Sequence, residues 1–358
     1  MKIGVVVHGP KIVDSGYALK IINLLKKFGD VRAKLGGTMG RVAVIDNKLD
    51  NIIDISEKLY PSEALKKLSN DCDVLFLLNY GKSKITGHTF GKIVVERANI
   101  NKPIIQIERP GENDGSILLW NFDNSNTKLN EIVKYLSEEL NLKIERCISD
   151  GLTFWKEKNK KFRRIHGVEK GEPIVVNGVV IGRADNDEVI LIEEDGNISI
   201  IGGTLKEEGL ERLGKIDLEK AVIKTGLLRR DNKDLISYPK KDFGRVGYIN
   251  HFGEDALKYK DYLAVITIGD DTTEIVGDIL ARFNVRVVGV VDGDKDNLLS
   301  KSNITIGSVI FKIINCRDDE AGELLKIFNE KEYYFDELIF EIENLFQRNN
   351  ILYKKIIK

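Results

Sequence analysis

The segment YLAVITIGDDTTEIVGDILARFNVRVVGVVDGD (262–294) contains two buried-strand patterns with a helical pattern between them. The runs 262–269 and 285–291 are almost continuously apolar, which is typical of strands buried on both faces of a sheet. The apolar residues between them recur at the spacing of one helix face: Ile275, Val276, Ile279 and Leu280. This order predicts a right-handed βαβ unit with two parallel strands.

Acidic residues follow both predicted strands. Asp270 and Asp271 come after the first strand, and Asp292 and Asp294 come after the second. The two strand ends of a βαβ unit open on the same edge of the sheet, so these carboxylates are expected to lie near one another. Mg²⁺ suits such a group because it binds carboxylates, keeps several waters and leaves room for phosphate oxygens. We therefore predict a metal site formed by these four residues.

Two threonines follow the first acidic pair. Thr272 and Thr273 are predicted to cap the helix and to contact a bound phosphate. The alternative interpretation is that the whole segment is structural. Aspartate is common where a strand turns into a helix, and Asp292-Gly293 is a routine turn dipeptide.

The same segment resembles two families of phosphate chemistry. Gly269, Thr273-Glu274 and Asp292-Gly293-Asp294 are similar in order and spacing to the core of Toprim domains, the metal-binding fold of primases and topoisomerases. That resemblance implies Mg²⁺ ligands at Asp292 and Asp294. The Glu-Gly pair that Toprim domains carry upstream is replaced here by Val246-Gly247.

Phosphofructokinases and NAD kinases provide the second resemblance. Their nucleotide-phosphate motif is similar to Ile268-Gly269-Asp270-Asp271-Thr272, which has one glycine fewer. It implies that Asp270, Asp271 and Thr272 contact phosphate and metal. Both resemblances therefore imply a divalent metal next to a phosphate.

The beginning of the chain resembles a third family. VVVHGPKIVDSGYA (5–18) and LGGTMGRVAVID (35–46) are similar to an uncharacterised conserved protein family of methanogenic archaea. This resemblance implies an archaeal cytoplasmic protein and supplies no activity.

Residues 1–125 alternate between strand and helix patterns. Strands are predicted at 2–7, 31–35, 74–78 and 104–108, with helical patterns after the first strand and at 92–98. Alternation at this spacing predicts a doubly wound parallel sheet. Residues 150–205 instead carry the turn signals Asn177-Gly178 and Asp195-Gly196 between apolar runs, which predict a small antiparallel β unit.

The predicted fold is thus α/β, with an N-terminal doubly wound sheet, an antiparallel β insert and a second Rossmann-like α/β unit. The domain boundaries that follow are 1–148 for a ligand-binding domain, 149–227 for the β-rich domain, 228–319 for the acidic domain and 320–358 for a C-terminal amphipathic helix. Residues 228–245 are expected to form a polar linker.

Glycine-rich segments follow the strands of the N-terminal sheet. Glycine lets backbone N–H groups approach a ligand, and helix N-termini attract anions. We therefore predict an anionic-ligand cleft formed by loops that include 79–92. The candidate ligand-binding residues are His8, Gly37, Thr38, Arg41, Lys82, Ser83, Lys84 and Thr86. The alternative is that these glycines only make tight turns; neither a Walker A motif nor GxGxxG is present.

Charge argues against non-specific nucleic-acid binding. The net charge is −1, although 31% of the residues are charged. FWKEKNKKFRRIH (154–166) combines basic and aromatic residues, as in single-strand contacts. A solvated hairpin edge protected by lysines is the interpretation that the sequence favours, because residues 185–195 nearby are acidic.

The composition favours a cytoplasmic protein. Three cysteines lie far apart in the sequence, no segment has the length of a membrane span, and the N-terminal apolar run is short for a signal peptide. Abundant Ile, Lys and Glu, with two Met, resemble a heat-adapted protein.

The predicted function is a Mg²⁺-dependent enzyme of the phosphoryl-transfer type, acting on a phosphate-bearing ligand such as a nucleotide or nucleic acid. The alternative is a non-catalytic protein that binds a nucleotide or another small anionic metabolite and regulates a partner. A third class is an assembly partner that uses the C-terminal helix, and a homo-oligomer stays open.

Overall fold

The computed structural model describes residues 1–38, 40–149, 151, 153–177, 179–221, 223–225, 241–250, 253–293 and 304–358. These residues form two compact units. The first comprises Met1–Glu172, Arg183–Thr204 and Asp217–Lys220, and the second comprises Pro173–Gly182, Leu205–Ile216 and Ala221–Lys358. The predicted linker, 228–245, lies largely outside the described residues, which resume at 241.

The first unit is built on a seven-stranded sheet. Its strands are β1 (Lys2–His8), β2 (Asp30–Gly36), β3 (Ile53–Asp54), β4 (Val74–Asn79), β5 (Ile104–Glu108), β6 (Ser116–Trp120) and β7 (Lys143–Glu145). The spatial order is β3-β2-β1-β4-β5-β6-β7. Strands β1 to β5 are mutually parallel, whereas β6 runs antiparallel to β5 and β7 runs parallel to β6.

Helices cover both faces of this sheet. They are α1 (Lys11–Asp14), α2 (Tyr17–Leu25), α3 (Arg41–Asp46), α4 (Pro61–Ser69), α5 (Lys84–Ala98) and α6 (Thr127–Leu140). Helices α1, α2, α3 and α6 share one core with alternate strand residues such as Val5 and Phe76. Helices α4 and α5 share the other core with Val6 and Leu77. The predicted doubly wound sheet is confirmed.

The loop after β4 is much shorter than its glycine-rich sequence predicted. The segment 79–92 was expected to be a loop, but α5 begins at Lys84. Ser83 and Thr86 cap the helix reciprocally: the Thr86 N–H donates to Ser83 Oγ at 3.4 Å, and the Ser83 N–H donates to Thr86 Oγ1 at 3.0 Å. The loop prediction was therefore wrong for most of this segment, and His88 lies inside a helix.

The middle of the chain forms two four-stranded sheets. The elements are β8 (Phe154–Glu157), β9 (Lys160–Ile165), β10 (Pro173–Val176), β11 (Val179–Ala184), β12 (Val189–Glu194), β13 (Asn197–Ile201), β14 (Gly203–Leu205), α7 (Glu207–Leu213) and β15 (Ile223–Thr225). The strand orders are β13-β12-β9-β8 and β14-β11-β10-β15. Asp195 and Gly196 have φ values of 52° and 85°, so they form the turn of the predicted β12–β13 hairpin.

The second unit contains a six-stranded sheet. Its strands are β16 (Phe243–Asn250), β17 (Ala264–Ile268), β18 (Arg286–Val291), β19 (Val309–Ile313), β20 (Glu332–Tyr334) and β21 (Tyr353–Ile357). The order is β20-β16-β17-β18-β19-β21, with four parallel central strands and an antiparallel strand at each edge. The predicted second Rossmann-like unit is confirmed.

Helices also cover both faces of the second sheet. They are α8 (Asp270–Ala281), α9 (Asp318–Leu324) and α10 (Phe335–Arg348), with 3₁₀ turns at Gly253–Tyr259 and Leu325–Phe328. Helix α8 shares one core with Val265 and Val287, and α9 and α10 share the other with Ile266 and Phe311. The segment 320–358, predicted to be mainly helical, also supplies both edge strands of this sheet. No helix within the described ranges is long and apolar enough to cross a membrane.

Candidate functional site

The first sheet has a topological switch point between β1 and β4. Strand β1 pairs with β2 on one side and with β4 on the other, in parallel. The chain leaves β1 toward α1 and α2 on one face, but it leaves β4 toward α5 on the opposite face. Diverging connections leave a crevice outside the carboxyl ends of the two strands, where open α/β sheets bind ligands.

His8 is the last residue of β1 and lies at this crevice. Its Nδ1–H donates to the carbonyl of Gly36 at 2.8 Å, at the end of β2. Its ring stacks on Phe90 of α5, with centroids 4.2 Å apart and planes 17° apart. These two contacts fix the imidazole where the predicted cleft lies.

The glycine after β2 also contributes to the crevice. Gly37 has a φ of 92°, a left-handed conformation that favours glycine, and its N–H donates to the Leu59 carbonyl at 2.7 Å. A Cβ at this position would lie 3.3 Å from His8 Nδ1, so glycine keeps space beside the imidazole. Thr38 follows it and is half-buried.

A buried carboxylate organises the loop after β4. Glu108, at the end of β5, is fully buried and accepts hydrogen bonds from Asn79 Nδ2 at 2.8 Å, the Gly81 N–H at 2.7 Å and Gln106 Nε2 at 2.9 Å. Burial raises the pKa of this carboxyl above its ordinary value, while its three donors and nearby Arg109 oppose the rise. Glu108 therefore ties the ends of β4 and β5 together.

Arg109 holds the same loop from the other side. Its Nη1 donates to the carbonyls of Gly81 and Lys82 at 2.6 and 2.8 Å, and its Nε donates to Asp114 at 2.9 Å. Its backbone has a φ of 48°, in the left-handed region that non-glycine residues seldom adopt. The loop after β4 is thus held by several polar contacts.

Two helical glycines let α5 approach this buried polar group. A Cβ on Gly87 would lie 2.6 Å from Glu108 Oε2 and nearer still to Cδ and Oε1. A Cβ on Gly91 would lie 2.7 Å from Gln106 Nε2 and nearer still to its Oε1. These glycines, predicted to line a ligand cleft, serve close packing of α5 on β5.

The predicted basic residues of this region have partners inside the first unit. Lys82 is ion-paired with Glu172, whose side chain is buried, and Lys84 is ion-paired with Glu145. Arg41 is 6% exposed and donates from Nη2 to the Ile55 carbonyl at 2.9 Å. A ligand would have to compete with these contacts, so the roles of the three basic residues stay predictions.

Sequence reasoning overlooked a lysine at the mouth of the crevice. The ammonium of Lys11 lies 4.2 Å from the centre of the Tyr80 ring, and the Tyr80 hydroxyl is hydrogen-bonded to Glu112. Lys11 follows β1 and Tyr80 follows β4, so this cation–π contact spans the switch point. Lys11 is exposed and forms no ion pair with any residue that the structure describes.

His88, in α5, is held by hydrogen bonds inside the first unit. It is fully buried, its Nδ1 accepts from the Ile148 N–H at 3.2 Å, and its Nε2–H donates to Ser116 Oγ at 3.0 Å. Burial lowers the pKa of its imidazole, which agrees with a neutral ring whose two nitrogens are both engaged.

The carboxyl edge of the second sheet carries the predicted acidic residues. Asp270 and Asp271 open α8, and Asp271 lies 3.7 Å from the Lys206 ammonium. Gly269, with a φ of 99°, is the N-cap of this helix, so Thr272 and Thr273 lie in its first turn. The prediction that the threonines cap the helix was wrong, because the glycine allows the chain to turn earlier.

Both threonine side chains are buried. Thr273 Oγ1 donates to the Gly269 carbonyl at 2.7 Å and lies 2.8 Å from Thr267 Oγ1. Thr272 is 5% exposed. The contacts of Thr273 join α8 to the end of β17. The predicted phosphate contact of both threonines stays a prediction.

The second acidic group includes residues that sequence reasoning did not select. Asp292 is exposed directly after β18, and Asp318 is buried at the start of α9. Burial, followed by the nearby charge of Asp292, raises the pKa of Asp318 to about 6. Arg212 Nη2 lies 3.3 Å from carboxylate oxygens of both Asp318 and Asp319, and its charge opposes the rise.

Three of the four residues of the predicted metal site, Asp270, Asp271 and Asp292, lie within the described residues. Asp294, one of its four residues, lies outside the described residues. Within the described ranges, no group of three or more His, Cys, Asp or Glu side chains is placed so that it could hold a metal ion. The Mg²⁺ prediction therefore rests on the sequence and on the shared sheet edge.

The basic aromatic segment forms the expected hairpin. Strands β8 and β9 pair antiparallel, and β9 pairs with the acidic end of β12. Lys160 lies 3.0 Å from Glu194, and Lys161 lies 2.5 Å from Glu193. Cross-strand pairing therefore neutralises part of its positive charge.

The fold and these two strand-end edges define an α/β protein with two Rossmann-like units. Residues 5–331 match the family described as "Uncharacterized protein conserved in archaea (DUF2117)", and the chain belongs to this family. An uncharacterised protein of Methanocaldococcus jannaschii is 61% identical over 364 residues, covering 100% of both chains. The predicted resemblance to a methanogen family is confirmed. No solved structure matches the chain.

Proposed function

We propose that the first unit binds a small anionic metabolite, carrying phosphate or carboxylate groups, at the crevice between β1 and β4. The single observation that carries this proposal is the switch point, where β1 and β4 send the chain to opposite faces. Ligands of open α/β sheets bind at such a point because the diverging loops leave space between them.

The chemistry of the crevice supports an anionic ligand. Lys11 supplies an exposed ammonium at its mouth, and His8 supplies a fixed imidazole at the end of β1. Gly37 supplies backbone that a ligand can approach closely. Such a set binds and orients an anion, which is what a metabolite sensor requires.

The first test is the identity of the ligand. Protein purified from its native host is denatured, and the released small molecules are identified by mass spectrometry. We expect a phosphate- or carboxylate-bearing compound, and calorimetry with that compound then measures the dissociation constant.

A matched pair of variants places the ligand. Lys11→Gln is expected to weaken binding about tenfold, because it removes one close charge from the site. Lys26→Gln, at an exposed position just after α2, removes an equal charge and is expected to leave the affinity unchanged. Equal effects of both variants, or the absence of any bound anion, would refute the proposed site.

A second candidate function is Mg²⁺-dependent phosphoryl transfer at the carboxyl edge of the second sheet. The observation that favours it is the closeness of Asp292 and Asp318, whose like charges oppose each other at the ends of neighbouring parallel strands. A divalent cation would relieve this repulsion and neutralise charge on a bound phosphate. Asp270 and Asp271 open α8 after a third parallel strand of the same sheet.

Calorimetry with Mg²⁺, alone and with nucleotides, tests this second function. The Asp292→Asn/Asp294→Asn variant is expected to lose Mg²⁺ binding, and an assay for released phosphate reports turnover. Equal Mg²⁺ binding by variant and wild type would remove the proposed ligands from consideration.

The cysteines support a proposal about the compartment. Cys72, Cys147 and Cys316 are all free thiols in the structure. Sparse unpaired cysteines are typical of a reducing interior, so we infer a cytoplasmic location.

A further inference from the structure

We propose a second ligand site in the first unit, a notch beside β6 and β7 that takes a small anion with a planar apolar body. Strand β7 pairs with β6 only over Ser116–Leu118, whereas β6 continues to Trp120. The difference in strand length leaves a cavity of about 580 Å³ beside the end of β6 that β7 does not cover. This volume is in the range of small-molecule sites, about 300–1,000 Å³.

One arginine gives the notch its charge. Arg146 lines the cavity, is exposed, and forms no hydrogen bond or ion pair with any residue in the described ranges. The preceding carboxylate, Glu145, is already ion-paired with Lys84. A guanidinium presents a planar fork of donors that matches carboxylate or phosphate, so an anionic group is the expected partner.

The remaining walls are suited to a planar apolar body. Leu119, Trp120, Phe122 and Ile144 line the cavity, and Ile144 is 49% exposed. The indole N–H of Trp120 donates to Gln106 Oε1 at 3.2 Å, which fixes the orientation of the ring. A rigid aromatic wall next to a cation favours an aromatic acid over a flexible, fully polar anion.

This notch is separate from the switch-point crevice. In the β5–β6 register, Glu108 pairs with Ser116 and Ile104 pairs with Trp120. Trp120 therefore lies beside the beginning of β5, whereas the crevice lies at the carboxyl ends of the parallel strands. Evidence against ligand binding at one site would not count against the other, so the two proposals can be tested independently.

Two probe molecules of the same shape test the chemistry. Naphthalene-2-carboxylate carries the anion, and naphthalene-2-carboxamide is its neutral counterpart. Because the chain contains two tryptophans, ¹⁵N-labelled indole groups give two NMR signals, and a Trp155→Phe variant assigns the signal of Trp120. We expect the carboxylate to shift the Trp120 signal and to bind about tenfold more tightly than the carboxamide.

Variants of the arginine decide whether the anion binds where proposed. Arg146→Gln is expected to abolish the preference for the carboxylate, and Arg146→Lys to retain part of it because the charge stays while the planar fork is lost. Lys143→Gln, on the same strand β7 and outside the cavity lining, is the control and is expected to keep the full preference. Arg146 is exposed, so circular dichroism of these variants is expected to match the wild type.

Three outcomes would overturn the proposal. The first is equal binding of the carboxylate and the carboxamide to the wild type. The second is a Trp120 signal that stays unchanged at millimolar probe. The third is an Arg146→Gln variant that still prefers the carboxylate.

Discussion

Gly87→Ala in α5 provides a direct test of how the first unit is held together. From the sequence alone, glycine to alanine inside a helix stabilises by about 1 kcal/mol. In the structure, the new Cβ would lie 2.6 Å from Glu108 Oε2 and nearer still to two other atoms of that carboxylate. Ordinary heavy-atom contacts are about 3.5–4 Å, so α5 or Glu108 must move by about 1 Å or more.

The magnitude follows from what this movement breaks. Overpacking a filled interior costs about 1–3 kcal/mol. Glu108 accepts three hydrogen bonds, and losing one bond to a charged group costs about 1.5–3 kcal/mol. After subtracting the helix-propensity gain of about 1 kcal/mol, we expect Gly87→Ala to lower the free energy of unfolding of the first unit by about 1.5–5 kcal/mol.

Guanidinium-induced unfolding followed by tryptophan fluorescence measures this change. Both tryptophans, Trp120 and Trp155, belong to the first unit, so the signal reports that unit rather than the whole chain. Glu96→Gly and Glu96→Ala, at an exposed position of the same helix, measure the helix-propensity term separately. A Gly87→Ala protein that is as stable as the wild type would refute the close packing of α5 on Glu108.

Further predictions concern charge in both units. Removing the buried charge with Asp318→Asn should stabilise the second unit above pH 6 by at most about 3 kcal/mol, because the pKa rises from 3.8 to about 6 on folding. Since the folded state keeps a proton that the unfolded chain releases, the gain should vanish below pH 4; denaturation monitored by circular dichroism in EDTA, at several pH values, checks this. Lys82→Gln should destabilise the first unit by about 1–3 kcal/mol, because the Glu172 carboxylate is left buried, and Lys82→Gln/Glu172→Gln should recover part of the loss in the same unfolding assay. His88, whose pKa is lowered on folding, should stay neutral in an NMR titration below pH 6.5, and the first unit should lose stability as the pH falls below that value, because the unfolded chain takes up the proton first.

Several central strands of both sheets, and their parallel pairing, could be read from local pattern. Continuous apolar runs such as 74–78 and 285–291 became central strands, because only a strand covered on both faces tolerates apolar residues at every position. Asp195-Gly196 became a hairpin turn, because both residues accept positive φ.

Glycine was the least informative residue in this sequence. Gly37 lies in a left-handed turn at the crevice, as a ligand loop requires. Gly87 was expected in a similar loop, yet it allows a helix to approach a buried carboxylate. The two uses look alike in sequence, because each needs only the absence of a side chain.

The candidate sites depended on neighbours that are distant in the chain. Lys11 and Tyr80 meet across the switch point, and Arg212 meets Asp318 although 106 residues separate them. The sequence shows an acidic run that includes Asp318 after an apolar strand, but it does not show that Asp318 is buried. Nothing in the sequence indicated that Lys82 would find a buried carboxylate at Glu172.

By itself, then, the sequence determined the fold class, several central strands, and the edges of the two sheets where polar loops gather. Those features follow from the periodicity of apolar residues and from backbone preferences, both of which act over a few neighbouring positions. Only the tertiary structure decided which charges are paired, which are buried and where cavities remain. Those features depend on which segments, far apart in the chain, lie close together in space. Coulomb attraction and packing depend on that spatial distance and not on separation in the sequence.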